Sequence, residues 1–256
     1  MPVNKLPKVS VIIPALNEER YILRALQALV AQDYPDFEII VTDNASTDHT
    51  SAVVRRFICS EAAGHIPIQL LYEQQRGTNF ARECARKAAT GSVIVQMDAD
   101  CIPHKHWLRK GISLLLRGKH AAVTGPYYYF DAAWILREST VLVQKWFYPV
   151  VNRLVQLNRR SAILIGGNAF IRAGLLEAAG GYNTALTFYG DDIDLGGRLC
   201  RFGSVAYSPA ITLPSSARRY HTSGFWKVNR KYQSCFWKTI RSRHPLFDTI
   251  ETEHPR

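Results

Sequence analysis

Short apolar runs alternate with amphipathic stretches over the first hundred residues. Val9-Ser-Val-Ile-Ile-Pro14 is apolar around one serine and closed by proline, which predicts a buried strand. Asn17-Glu18-Glu19 reads as a helix start, with Asn17 as N-cap and the acids at the positive helix end. Ile22, Leu26 and Leu29 then share one helical face, and Tyr34-Pro35 stops the helix. Phe37–Val41 predicts the second strand, Asp43–Asp48 a loop of capping residues, and Thr50–Ile58 a helix. Ile68–Tyr72 predicts a third strand, Asn79–Ala89 a helix closed by Thr90-Gly91, and Val93–Met97 a fourth strand. This β-α-β-α-β-α-β order predicts an α/β, Rossmann-like, doubly wound sheet, mostly parallel, with helices on both faces. Ligands of such sheets gather beyond the carboxyl ends of the strands. The polar clusters Asn17-Glu18, Asp43-Asn44 and Asp98-Ala99-Asp100 all follow strands.

The pattern changes after Pro103. A helix is predicted to about Gly118, then a strand over Ala121–Tyr128. Within Ala132–Leu157, Val143, Phe147, Val150, Leu154 and Leu157 repeat at 4-3-4-3 spacing, a helical apolar stripe that Pro149 should kink or split. Ile163–Ile171 reads as a strand containing Gly166-Gly167, and helices are predicted at Ala173–Ala179 and Asp192–Arg201, with a strand near Val205. Phe225, Val228, Tyr232, Phe236 and Ile240 mark a last amphipathic helix. No linker interrupts the chain. It divides as one domain over residues 1–220 and a basic amphipathic helix and tail over 221–256.

Composition narrows the class. The 256 residues are 47% hydrophobic and 21% charged, which excludes a disordered chain. Five scattered cysteines without a CxxC pair argue for a reducing compartment and against a zinc ribbon. Met1–Lys8 lacks the apolar run of a signal peptide, and no run of about 18 apolar residues suits a membrane span. The expectation is a cytoplasmic protein, peripheral on the inner face of the cytoplasmic membrane. The net charge of +11 is unevenly spread. Leu195–Phe247 and Ser139–Leu176 contain no acid and together carry +15, which leaves −4 for the rest. The basic, aromatic segments fall in the second half, and their composition suits contact with an anionic membrane surface.

The first half holds the acids. Asp98 and Asp100 stand at i and i+2 after an apolar strand, where two hard carboxylates suit Mn²⁺ or Mg²⁺. Asp43, at the second strand end, is placed to accept a uracil imide N–H, or to cap the next helix. Arg82, on a helix after Gly77-Thr78, suits a phosphate or base carbonyl as well as solvent. Gly166-Gly167 admits close backbone approach beside Asn168.

These segments resemble a family 2 inverting glycosyltransferase of the GT-A fold. Val9–Glu19, Val41–Thr50, Gly77–Arg82 and Met97–Asp100 are similar to the family's nucleotide-sugar half, over about residues 1–103. Gly166–Arg172, Gly180-Gly-Tyr182 and Gly190-Asp-Asp192-Ile-Asp194-Leu-Gly-Gly-Arg198 are similar to its acceptor half, over about 104–220. The resemblance implies transfer of a sugar from a nucleotide-diphosphate donor, UDP-sugar favoured, to an acceptor hydroxyl, such as one on a lipid-linked or cell-surface glycan. It implies that Pro14, Ala15, Asn17, Glu18, Asp43, Arg82, Asp98, Ala99 and Asp100 line the donor site. Similarity to the family's Glu-Asp-x-Asp pattern places the base at Asp192, with Asp191 standing where the pattern has Glu. Gly167, Asn168 and Asp191 fall on the acceptor side, and Asp194 caps or positions its helix. Arg218 and Arg219 suit a diphosphate clamp. His221 suits a third metal ligand beside Asp98 and Asp100.

Two other readings stand beside this one. A sugar nucleotidyltransferase expects a Gly-rich basic loop after the first strand, where Pro14-Ala-Leu-Asn-Glu stands instead. A catalytically inactive nucleotide- or anion-binding module leaves Asp98, Asp100 and Asp192 without purpose. Nucleic acid is not an expected partner, since no nucleic-acid motif accompanies the charge.

Overall fold

The computed structural model describes residues 6–157, 161–186, 190–218, 220 and 230. Nine strands are present among them: β1 (Val9–Ala15), β2 (Phe37–Asp43), β3 (Ile68–Tyr72), β4 (Val93–Met97), β5 (Ala122–Thr124), β6 (Tyr127–Tyr129), β7 (Asn168–Arg172), β8 (Val205–Tyr207) and β9 (Leu213–Ser215). The α-helices are α1 (Ile22–Val30), α2 (Thr50–Ile58), α3 (Thr78–Ala88), α4 (Trp107–Arg117), α5 (Trp134–Leu142), α6 (Tyr148–Val155), α7 (Ala173–Ala178) and α8 (Asp191–Leu199).

Seven strands form one sheet in the order β3-β2-β1-β4-β7-β5-β8. β1 pairs in parallel with β2 and β4, and β2 with β3, as expected of the β-α-β-α-β-α-β run. The period-2 alternation sorts side chains to two faces. Val9, Val11 and Ile13 of β1 join Ile39, Val41, Val93 and Val95 in one core under α1, α2 and α4. Ile12, Ile40 and Ile94 point the other way, against Ala85 of α3, Leu176 of α7, and Leu195 and Leu199 of α8.

β7 breaks the parallel run: it lies antiparallel to both β4 and β5. Its start is therefore level with the end of β4, Met97 opposite Asn168. The expected strand over Ile163–Ile171 shortens to this β7. The expected strand over Ala121–Tyr128 divides at Gly125-Pro126, and its second piece, β6, pairs with β9 in a separate two-stranded sheet. The segment 134–155 stays helical through a five-residue π turn, Val143–Phe147, between α5 and α6. Pro149 sits in the first turn of α6, where its missing N–H costs least. The last predicted helix, from Phe225, lies outside the described residues.

Two polar residues do other work than expected. Asn17 does not cap α1, which starts later, at Ile22, with no side-chain cap. Asn17 has a left-handed φ of 56°, and its side-chain oxygen accepts the Thr47 N–H at 2.8 Å. It braces the β1 and β2 loops together. Asn168 does not face an acceptor; it is fully buried. Its amide oxygen accepts from Trp107 Nε1 at 3.0 Å, and its Nδ2 donates to the Ile211 and Pro126 carbonyls at 2.8 and 3.2 Å. It thereby ties α4, the β5–β6 turn and the approach to β9 to the head of β7. Asn168→Ala removes the partner of the Trp107 indole N–H and of the Ile211 carbonyl, while the Pro126 carbonyl keeps the Leu213 N–H, a cost of roughly 2–4 kcal/mol. Chemical denaturation is expected to show that loss; an unchanged midpoint would contradict the bracing role.

Candidate active site

The antiparallel β7 builds the site. It sets Gly166-Gly167, the residues leading into β7, beside Asp98, the first residue past β4. A side chain at Gly167 would overlap the Asp98 carboxylate and the Tyr127 hydroxyl, and one at Gly166 would overlap the Asp192 carboxylate. A side chain at either position would force those carboxylates or the Tyr127 phenol to move. Gly190, with a left-handed φ of 89°, turns the chain into α8, whose first two residues are Asp191 and Asp192.

One buried cation joins these pieces. Arg82 of α3 places Nη1 at 2.9 Å from Asp191 Oδ2 and 3.4 Å from Asp192 Oδ1. Its Nη2 lies 3.5 Å from Asp98 Oδ1. Burial works against the guanidinium charge, but Asp192, Asp191 and Asp98 outweigh it and hold the proton more firmly. Arg82 thus spends its charge on three carboxylates and is nearly inaccessible, rather than open to a phosphate or a base carbonyl. Asp192 also accepts the Gly166 N–H at 3.0 Å, and its side chain remains partly exposed. Asp191 differs. Burial, then the neighbouring Asp192 charge, push its carboxyl above the usual range, with Arg82 opposing. Tyr127 donates to Asp98 Oδ2 at 2.8 Å. Burial and then the Asp98 charge hold that phenol in its neutral, donating form.

A second charge centre lies toward the β1 and β2 loops. Arg218 pairs with Glu18 through Nη2 and with Asp100 Oδ2 through Nε at 3.1 Å. Its guanidinium stacks over Tyr21, 4.8 Å from the ring centre. Ser215 donates to the other Asp100 oxygen at 3.3 Å. Arg218, expected at a diphosphate, therefore rests on the two acids that were expected there with it. Asp43 accepts the Ser46 N–H at 2.9 Å on one oxygen and the Ser51 hydroxyl on the other. Ala15 and Ala99 contribute backbone only, since both side chains are buried. Pro14, opposite Thr42, and Ala15, opposite Asp43, carry the β1 end alongside β2. Asp194 pairs with Arg198 at 2.9 Å one turn along α8, which positions that helix. Arg219 and His221 lie outside the described residues.

The charge count at this edge is uneven. Five carboxylates (Glu18, Asp98, Asp100, Asp191 and Asp192) face two arginines. A bound diphosphate would deepen that imbalance, so the donor set fits a divalent cation. Among the described residues no three His, Cys, Asp or Glu side chains gather closely enough to hold one. Asp98 and Asp100 would therefore make up only part of a coordination shell, which Mg²⁺ and Mn²⁺ tolerate when phosphate oxygens and water complete it.

Several residues of the site carried no sequence signal. Tyr127 is one tyrosine of three in a row, and nothing in that run marks the one that reaches Asp98. Asn44 accepts the Gly77 N–H at 2.7 Å and donates to the Glu73 and Gln75 carbonyls, fixing the loop before α3. Its place beside Asp43 at a strand end was the only available hint.

Comparison with known proteins places the chain among glycosyltransferases. The chain is 38% identical over 112 residues to the glycosyltransferase AglE of Haloferax volcanii, covering 43% of this chain and 36% of AglE. It is 32% identical over 120 residues to an Escherichia coli UDP-Glc:alpha-D-GlcNAc-diphosphoundecaprenol beta-1,3-glucosyltransferase, WfgD, covering 46% of this chain and 45% of WfgD. Among solved structures it is similar to the mannosyltransferase PcManGT of Pyrobaculum calidifontis, in complex with GDP-Man and Mn2+. That match has a TM-score of 0.72 and 27% identity, and it covers 94% of this chain and 66% of that one. The chain thus spans about a third to two thirds of the length of these relatives. The mostly parallel sheet with its helices is the GT-A fold of these glycosyltransferase structures. The family model "Glycosyl transferase family 2" matches residues 10–180, from β1 through α7, and with it the fold and the ordered motifs say that the chain belongs to that family.

Proposed function

We propose that the chain transfers a sugar from a nucleoside-diphosphate sugar to an acceptor hydroxyl, with inversion at the anomeric carbon. One observation carries this reading: Arg82 binds the strand-end carboxylate Asp98 and the helix-start carboxylates Asp191 and Asp192 at once. A donor diphosphate held near Asp98 and an acceptor hydroxyl held near Asp192 would then meet across Gly166-Gly167. Inversion by single displacement needs a carboxylate to take the acceptor proton as the diphosphate leaves. Asp192 suits that role better than Asp191. It is the more exposed of the two, and the Gly166 N–H stabilises its charged form. Asp191 is buried and tends to keep its proton.

Asp98 and Asp100 would hold the Mn²⁺ or Mg²⁺, with His221 as the third candidate ligand. Such an ion neutralises charge that grows on the leaving diphosphate. Arg218, leaving Glu18 and Asp100, would reach the same phosphates, with Arg219 beside it. Asp43 supports a uridine donor, because each of its oxygens retains a lone pair for an imide N–H. A guanosine donor is the second reading, supported by the GDP-Man bound to PcManGT. A polyprenyl-diphosphate-linked glycan is the acceptor class we favour, on the similarity to WfgD.

Calorimetry against UDP and GDP with Mn²⁺, then a sugar-nucleotide hydrolysis panel, tests the reading. No nucleotide binding would refute it. Asp192→Asn should lower transfer by about 10²–10⁴-fold while nucleotide affinity stays the same. If that variant retained full transfer, another group would be the base. Asp100→Ala should weaken both nucleotide binding and transfer, and chelation should reproduce its effect on the parent. Transfer should fall as pH drops through ionisation of the Asp191–Asp192 pair, because only the charged carboxylate accepts the proton. Asp191 keeps its proton while Asp192 ionises, so Asp191→Asn, a neutral replacement, should leave that acid limb in place, and a downward move would show that Asp191 carries a charge beside the base. An upward move would show that Asp191 is itself the base's stabilising partner.

A further inference from the structure

The α5–α6 segment is turned inside out. Every fourth residue from Gln144 to Gln156 faces the protein, and these inner residues are polar or aromatic. Gln144 accepts the Tyr127 N–H at 2.9 Å, Asn152 accepts the Ile163 N–H and donates to the Val205 carbonyl, each at 2.8 Å, and Gln156 accepts the Val205 N–H at 2.8 Å. The apolar stripe faces away. Trp134, Ile135, Trp146, Phe147, Leu154 and Leu157 are each between 58% and 75% exposed. No residue of α5 is buried. A helix packed on its own sheet normally does the reverse, and an apolar strip this continuous marks a contact surface.

We propose that this outer face docks on an anionic lipid bilayer. The occupant follows from charge and shape. Lys145 and Arg153 are exposed along the strip, and no acid occurs from Ser139 to Leu176. A second copy packed through this face would set Lys145 and Arg153 near their counterparts, with Glu138 of α5, already facing Arg137, as the one acid on the segment. An anionic interface meets both demands, apolar depth for the side chains and negative charge for Lys145 and Arg153. Trp134 and Trp146 are the residue type that settles at headgroup level. The strip runs roughly 35 Å, the length of its helical residues at 1.5 Å each, and so suits a flat surface. Among the described residues no helix is long and apolar enough to cross a membrane, so the contact lies along the surface. The face is also wired to the acidic site. Gln144 holds the Tyr127 backbone, and the Tyr127 hydroxyl holds Asp98. Docking therefore sets the carboxylate cluster within one side chain of the bilayer-facing helix.

Sedimentation of the full chain with phosphatidylcholine vesicles, with and without phosphatidylglycerol, tests the proposal without any sugar substrate. The parent chain should bind the phosphatidylglycerol vesicles at low salt and release them as salt rises. Trp146→Glu with Leu154→Glu should weaken binding at least about tenfold. Lys145→Ala with Arg153→Ala should weaken it on the anionic vesicles alone. Circular dichroism and thermal unfolding verify that each variant folds. The proposal is overturned if the parent fails to bind anionic vesicles at low salt, or if the folded Glu variant binds as the parent does. It is equally overturned if light scattering finds a parent dimer that the Glu variant dissociates, since the face would then join two copies.

Discussion

Much of this molecule hangs on one guanidinium. Arg82 is buried among Asp98, Asp191 and Asp192, carboxylates that come from β4 and from the start of α8. Without it, three acids would share a small, poorly hydrated space, and each would repel the others strongly. With it, one cation holds two distant parts of the chain at fixed separation. An ion pair of this kind gains little net stability over a packed apolar core, because desolvation offsets the attraction. Its return is geometric. Two carboxylates of different character, one buried and one reachable, are held on either side of a glycine pair.

The glycines and the antiparallel strand serve the same end. Had β7 run parallel to β4, its entry would lie at the opposite edge of the sheet, far from Asp98. Reversing it brings two strand ends and one helix start to a common edge. Gly166 and Gly167 then let the backbone approach until the Gly166 N–H reaches Asp192. Arg218 acts from the far side, where it pairs with Glu18 and Asp100.

The parts of this fold governed by local pattern were readable from sequence. The alternation of Val9, Val11 and Ile13 against Ile12 names both faces of β1, and the helix expected around Thr50 to Ile58 is α2. Side chains with several possible partners were less so. The amide of Asn17 can cap a helix or brace a loop, and only the fold selects the loop. Asn168 stands beside a glycine pair in both roles one might give it, and its burial depends on Trp107 and Ile211, far off in sequence. Two of the partners of Arg82, Asp191 and Asp192, lie more than a hundred positions away, so a basic residue on a helix gave no sign of them. The 4-3-4-3 stripe of the second half was visible, but not its direction. That was set by Gln144, Asn152 and Gln156, polar residues that the stripe itself does not include.

Those inward amides have one more effect. β8 is the last strand of the main sheet, and an outermost strand ordinarily offers unpaired N–H and C=O groups to any passing extended chain. Here Gln156 occupies the Val205 N–H, while Asn152 and Gln156 share its carbonyl. That occupies the outward-facing groups at the start of β8, where a foreign strand would otherwise pair. Side-chain amides on a helix do this where another β-strand would have left the problem one position further out.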